Sequence, residues 1–238
     1  MSVYSSLFEA CDLSASQILL TQSDFLSPPR LSNLKSCVDN LLSLGIVPII
    51  NENDAVSGNL GYTEADVFSD NDSLAALCGR AFDADVVLLL TDVKGVYDRP
   101  PSSPGSRILP FYFDYVDAGG IRRSKSENVL FGAKSSVGRG GMEAKINAAL
   151  SAVKDSNVKA CVIACGQELD TITSVLGVEK DGQNKGTLFV NMEKGELFEE
   201  VRAGVVERFL RRENLLWTRL ARPIINNPFL RFASLIAS

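Results

Sequence analysis

Four short polar stretches carry side chains dense enough to do chemistry. The first, Asn51-Glu52-Asn53-Asp54, sets four amide and carboxylate groups in a row, directly after the apolar run Ile46–Ile50. An Asx-turn would explain one or two of them. Asn and Asp side by side also suit the ammonium and carboxylate ends of an amino acid. The second, Asp70-Asn71-Asp72, opens a run with helical apolar spacing. One of these residues, or Ser73, serves as the helix N-cap. The other two are left facing the same crevice, where a helix N-terminus also offers free N–H groups to an anion. The third is Gly138-Arg139-Gly140-Gly141-Met142, with Lys145 one turn into the helix that follows. Its glycines let backbone N–H groups approach a phosphate closely, and the helix dipole adds to the attraction. It is not a Walker A sequence, in which Lys directly follows the last glycine. A Gly-rich run by itself fits loop flexibility equally well. Taken with the fourth stretch, Thr91-Asp92, at the end of an apolar strand, it makes a candidate nucleotide site.

What chemistry these groups can run is narrowed by a residue that is absent. The chain has 238 residues and no histidine. Ser-His-Asp and Cys-His catalysis, His-ligated zinc and imidazole bases are therefore excluded. Carboxylates, lysines, backbone N–H groups and bound cations remain. That inventory fits phosphoryl transfer best, a reaction that asks for positioning and charge neutralisation more than for a protein nucleophile.

The elements that must position these stretches follow from periodicity. Tyr4, Leu7 and Phe8 have helical spacing, and Gln17–Thr21 reads as a short strand. Ser27-Pro28-Pro29 breaks the chain before an amphipathic helix on Leu31, Leu34, Val38, Leu41 and Leu42, stopped by Gly45. Strands follow at Ile46–Ile50, Asp85–Leu90, Ala160–Ala164 and Thr187–Val190, and helices at Ser73–Phe82, Met142–Val153 and around Leu169–Leu176. Asn51–Gly61 reads as a polar loop, and Pro100–Gly105 and Gly119-Gly120 bracket an excursion. Helices alternating with buried strands specify a three-layer α/β/α sandwich with a mainly parallel sheet. Ligands in such sheets sit beyond the carboxyl ends of the strands, where all four polar stretches fall. Residues 1–190 form this domain, and 191–238 are expected to be a helical C-terminal extension. The helix on Leu197, Phe198, Val201, Val205, Phe209 and Leu216 either faces a partner or membrane surface or packs back on the domain.

Composition bounds the rest. A chain this long buries roughly 70–75% of its unfolded surface without staples. The formal charge of −5 argues against wrapping nucleic acid. The five scattered cysteines read as buried reduced thiols, which suits a cytoplasmic setting. No apolar run is long enough to span a membrane, and no secretory leader is visible in these residues.

The motifs PIINENDAV (Pro48–Val56), FSDNDSLAAL (Phe68–Leu77), LLLTDVKGVYDRPP (Leu88–Pro101) and GRGGMEAK (Gly138–Lys145), in that order, resemble the glutamate 5-kinases of the amino acid kinase family. KGTLFV (Lys185–Val190) looks like that domain's closing strand, and FGAKSSVGRGGM (Phe131–Met142) is similar to the kinase half of plant and animal delta-1-pyrroline-5-carboxylate synthases. The resemblance implies transfer of the γ-phosphate of ATP, with Mg2+, to the side-chain carboxylate of L-glutamate, the first step of proline synthesis. It assigns Asp54 and Asn71 to glutamate, with Asn53 and Asp70 beside them. It makes Asp72 and Lys145 the catalytic pair, Asp72 organising lysines and Lys145 neutralising the transferring phosphoryl group. Thr91 and Asp92 would line the nucleotide pocket, with Arg139, Gly140, Gly141, Met142 and Lys145 along the phosphates. No protein metal ligand is implied, and a homo-oligomer is. Kinases of aspartate, N-acetylglutamate or UMP match less well, because NENDAV paired with DNDSLAAL is a glutamate 5-kinase feature.

Two departures accompany the resemblance. Family members carry a Lys-bearing strand, a Gly-rich phosphate loop and a serine-containing loop ahead of the part that Met1–Leu20 matches. Their lack here predicts an open sheet edge and a weakened phosphate clamp. The tail after Val190 matches no further part of either enzyme. The alternative to an active kinase is a silent fragment that binds glutamate or proline and acts by assembly with longer partners.

Overall fold

A computed structural model describes residues 1–56, 70–112, 114–116, 122–124, 141–154, 156–175, 185–190 and 232–235. The first quarter contains α1 (Ser2–Glu9), β1 (Ser14–Leu20), α2 (Gln22–Leu26), α3 (Pro28–Ser43) and β2 (Ile46–Glu52). Thr21 and Asp24 form the capping box of α2, with Thr21 N–H donating to Asp24 Oδ2 at 2.7 Å. Ser27-Pro28-Pro29 does not break the chain as expected. Ser27 is the N-cap of α3, and Pro28 and Pro29 occupy its first turn, where a missing N–H costs nothing. Gly45 (φ +71°) turns the chain from α3 into β2.

β1 and β2 pair in parallel from Ser14↔Ile46 to Leu20↔Glu52. The strand expected to end at Ile50 therefore runs on through Asn51 and Glu52. Their backbone groups find partners opposite Leu19 and Leu20, which outweighs the turn preference of the side chains.

The second, larger sheet is built from β3 (Val86–Thr91), β4 (Phe111–Tyr112), β7 (Ala160–Cys165), β8 (Thr187–Phe189) and β9 (Phe232–Leu235), in the order β4-β8-β7-β3-β9. The helix α4 (Asn71–Ala81) precedes β3, and between the strands in sequence lie the antiparallel pair β5 (Asp114–Val116) and β6 (Arg122–Ser124) and the helices α5 (Met142–Val153) and α6 (Thr171–Val175). β3 pairs in parallel with β7 and β9, β4 with β8, and only β7 with β8 is antiparallel. This is a mixed α/β fold with a mainly parallel sheet. The excursion after Pro100 contributes a strand, β4, to the sheet.

β3 is buried on both faces, as its VVLLLT sequence requires. Val87 and Leu89 point to the side covered by α4 and α5, joining Ala75, Ala76, Ile146, Ala149, Cys161 and Ile163. Leu88 and Leu90 point to the opposite side with Val162, Ala164 and Val175 of α6. The outer edge of β3 is hydrogen-bonded rather than open, in register from Val86↔Phe232 to Leu89↔Leu235. Contrary to the helical extension expected over 191–238, Phe232–Leu235 enters the sheet as a strand, while residues 191–231, including the expected helix, lie outside the described residues.

α4 joins the two sheets. Leu74 and Cys78 pack with Leu20, Leu34, Val38 and Ile50, while Ala75 and Ala76 face the large sheet. Two of the five cysteines, Cys11 and Cys37, are exposed, contrary to expectation, because they fall on the outer sides of their segments. Cys78, Cys161 and Cys165 are buried, and desolvation pushes the Cys78 thiol up to about 12 and that of Cys161 up as well. Among the described residues no helix is long and apolar enough to cross a membrane.

Candidate active site

The first turn of α4 divides its labour among three polar residues. Asp70 is the N-cap, its Oδ1 accepting from Ser73 N–H at 2.8 Å, and Ser73 Oγ accepts from Asp70 N–H at 3.1 Å. This reciprocal box satisfies the helix start, so neither Asn71 nor Asp72 is spent on capping. Asn71 is half-buried, and Asp72 is buried.

Opposite stands the first turn of α5. Gly141 is its N-cap in extended conformation, and Lys145 N–H donates to Gly141 C=O at 3.3 Å. Below Lys145 the inner face is Ile146, Ala149, Ala152 and Val153, set against Ala75 and Ala76 of α4. The alanines among them let the two helices approach closely. Lys145 Nζ consequently reaches both carboxylate oxygens of Asp72, at 3.0 Å and 2.9 Å. The side chains are only 13% and 5% exposed, so the pair is largely removed from water. Burial raises the Asp72 carboxyl above its ordinary value, and the Lys145 ammonium opposes that rise without cancelling it.

Each helix runs back along the strand that follows it, which puts both helix starts at the carboxyl ends of the strands. β3 ends there at Thr91, whose Oγ1 donates to Asp92 Oδ1 at 3.1 Å. Thr91 C=O accepts from Gly166 N–H at 2.8 Å, which binds the exits of β3 and β7 to each other. Asn53 and Asp54 lie just past β2, and Asn53 N–H donates to Leu20 C=O at 2.7 Å. The packing of Ile50 and Leu20 on Leu74 brings this strand end alongside the first turn of α4. Asp54 itself is exposed, and no hydrogen bond among the described residues links Asn53 or Asp54 to Asn71. Of the Gly-rich stretch, Gly141 and Met142 are seen at the start of α5, whereas Arg139 and Gly140 lie outside the described residues.

A second set of charges lies outside the polar stretches that the sequence marks as candidates. Lys185 Nζ donates to Glu168 Oε2 at 2.9 Å and also to Asp170, and Lys94 Nζ lies 3.1 Å from Glu168 Oε1. The lysine bonds hold both carboxyls below their ordinary values, Lys185 being the larger influence on each. Thr187 Oγ1 accepts from Val96 N–H at 2.8 Å and donates to Leu109 C=O at 2.6 Å. The only signal in the sequence was the Lys-Gly-Thr run at 185–187, which strand periodicity does not distinguish from any strand start.

The donor set suits a magnesium ion that arrives on a nucleotide rather than one caged by the protein. Both oxygens of Asp72 are taken by Lys145, and Asp70 Oδ1 is taken by the helix cap. Among the described residues no three acidic or thiol side chains are grouped to hold a cation.

The sequence profile of the Amino acid kinase family matches residues 1–164. The chain is 41% identical over 191 residues to a delta-1-pyrroline-5-carboxylate synthase of Mesembryanthemum crystallinum, an alignment covering 79% of this chain and 25% of that protein. It is 37% identical over 191 residues to a glutamate 5-kinase of Methylococcus capsulatus, covering 80% of this chain and 46% of that protein. Among solved structures, a uridylate kinase from Archaeoglobus fulgidus aligns with 79% of this chain and 67% of its own at 17% identity, with a TM-score of 0.38. The chain spans about a quarter of the synthase and under half of the kinase.

Proposed function

The chain belongs to the amino acid kinase family, and from that premise we propose that it transfers the γ-phosphate of ATP to the side-chain carboxylate of L-glutamate. The product is L-glutamyl 5-phosphate, as expected for the first step of proline synthesis. The observation that carries this reading is the buried Asp72–Lys145 pair between two helix starts at the carboxyl rim of the sheet.

The reaction needs no base from the protein. A carboxylate oxygen of glutamate attacks the γ-phosphorus, the new O–P bond forms, and the bond to the β–γ bridging oxygen breaks with its electrons leaving on ADP. Lys145 neutralises charge on the phosphoryl group in flight, which is where an electrostatic group lowers a barrier most. Asp72 holds the ammonium in place with two hydrogen bonds, so the charge needs no reorganisation at the moment of transfer. Asn71, with Asp54 and with Asn53 and Asp70 beside them, would hold the amino acid. Thr91 and Asp92 would line the nucleotide pocket, and Arg139, Gly140, Gly141 and Met142 would lie along its phosphates. Magnesium, carried on the nucleotide, would supply further charge neutralisation. Relatives named glutamate 5-kinase, at 37% and 38% identity, support the substrate pair.

The test is a coupled assay of ADP release from ATP and Mg2+, with and without L-glutamate. Glutamate-dependent release that aspartate does not replace is expected. Glutamate binding with no such release would overturn the reading in favour of a non-catalytic role.

A further inference from the structure

We propose that Glu168 and Thr187 are positioning residues that clasp the loop following β3, residues 91–96, in the shape needed to hold a nucleotide. The juxtaposition that carries it joins three segments far apart in sequence. The loop leaves β3 at Thr91 and ends where Val96 N–H donates to Thr187 Oγ1, both residues being fully buried. Thr187 Oγ1 in turn donates to Leu109 C=O, so one hydroxyl satisfies two backbone groups away from open solvent. A few residues away, Glu168 accepts from Lys185 and pairs with Lys94, bridging the exit of β7, the entry to β8 and the loop itself.

The glycines at this junction show how closely the segments meet. A Cβ on Gly95 (φ +157°) would stand 2.8 Å from Thr187 Oγ1, and one on Gly186 (φ +95°) would stand 2.5 Å from Ile163 C=O. Both positions demand a residue without a side chain. The loop is thereby fixed at its start by Gly166 N–H on Thr91, at its middle by Lys94 on Glu168, and at its end by Thr187. The side chains of Thr91 and Asp92 take no part in these ties, and Asp92 is exposed. A loop held at both ends costs little further ordering when a ligand settles on it.

The role of the loop in nucleotide binding rests on the function proposed above, and the experiment separates the two. Amide hydrogen exchange is measured on the unliganded chain and on Glu168→Gln and Thr187→Val, followed by calorimetric titration with MgATP and, separately, with L-glutamate. Faster exchange confined to residues 91–97, with MgATP affinity lowered about tenfold for the loss of one buried hydrogen bond and glutamate affinity unchanged, is the expected result. Thr187→Ser, which keeps the hydroxyl, should restore both. Should Thr187→Val fail to fold, Glu168→Gln at the partly exposed rim still decides the matter. Unchanged exchange in 91–97, or a loosened loop with MgATP affinity intact, overturns the proposal while leaving the kinase reading in place. If the parent chain binds no MgATP, the kinase reading falls; exchange that still rises locally then keeps the clasp as a fold device and refutes its link to nucleotide.

Discussion

Asp72 meets Lys145 between two packed helices, whereas Glu168 and Asp170 meet Lys185 at the open rim of the sheet. The residue types and hydrogen bonds are alike, yet the carboxyls are displaced in opposite directions, Asp72 upward and the other two downward. At the rim, water still solvates the ions, and the lysine bonds decide the outcome. Between the helices, desolvation outweighs a bidentate partner. A fold seldom keeps such a buried pair for stability, since an apolar replacement is often as good or better. The rim pair fastens loops, while the buried pair keeps an ammonium fixed and poorly hydrated beside a crevice, which is what phosphoryl transfer can use.

The comparison breaks most visibly if the two lysines are exchanged for methionine. Lys145→Met should lower glutamate-dependent ADP release by about 10²–10³-fold with the Michaelis constant for glutamate changed by less than about threefold. Lys185→Met should lower it by less than about tenfold, through the loop alone. Equal losses from the two, or a loss for Lys145→Met seen wholly in the Michaelis constant, would remove the distinction. Without its partner Asp72 will take up a proton rather than stay buried and charged. The melting temperature of Lys145→Met should therefore fall further below the parent's as pH is raised.

The pH dependence sharpens the contrast. Asp72 has a folded value above its unfolded one, so the native state binds the extra proton in the window between them. By linkage, this group's contribution favours folding as pH falls through that window, while the Lys145 pairing it provides is lost. Glu168 and Asp170 are displaced downward, so their stabilisation is complete above the ordinary carboxylate range and lost only as pH falls through their depressed values. Activity should thus fail on the acid side before the fold does, at a pH above the ordinary 3.8 of an aspartate. Asp72→Asn should abolish that acid limb in a pH–rate profile, and a limb that persists unchanged would assign it elsewhere.

How far the sequence revealed this site follows from the range of the forces involved. The helix at Met142–Val153 is predicted residue for residue, because apolar period and a Gly-rich start act locally. Residue type and neighbours mark Asp72 and Lys145 as chemical groups, but their contact depends on alanines spaced on two helices that the sequence separates widely. The Glu168–Lys185 and Thr187–Val96 contacts were not visible, since nothing local marks a carboxylate or hydroxyl that acts across sheet neighbours. The strand at Phe232–Leu235 falls in the stretch expected to be helical, because four residues carry too little period to separate strand from helix.

A packing substitution tests whether the buried pair depends on the helix behind it. A Cβ on Gly79 of α4 would lie 2.4 Å from Val87 Cγ2, so this glycine lets α4 rest directly on β3. Gly79→Ala gains helix propensity of about 1 kcal/mol but meets overpacking of about 1–3 kcal/mol. A net loss of up to about 2 kcal/mol is expected by chemical denaturation. Turnover should fall with it, because α4 carries Asp72. Stability that rises instead would mean that α4 is less tightly seated than the pair requires.

The smallest effect belongs to an ion pair with neither burial nor a loop to fasten. Lys35 Nζ lies 3.7 Å from Asp83 Oδ2, and the two side chains are 41% and 48% exposed. Asp83 also accepts a hydrogen bond from Asn157 Nδ2 at 2.8 Å, so losing the lysine does not leave it alone. Exposed pairs of this kind contribute about 0–0.5 kcal/mol, reduced further by salt. Lys35→Ala should therefore shift the unfolding free energy by no more than about 0.5 kcal/mol and leave turnover unchanged. A larger loss, persisting in high salt, would mean that exposure does not separate the inert pairs of this molecule from the working ones. The contrast between Lys145 and Lys185 would then have to rest on position in the fold alone.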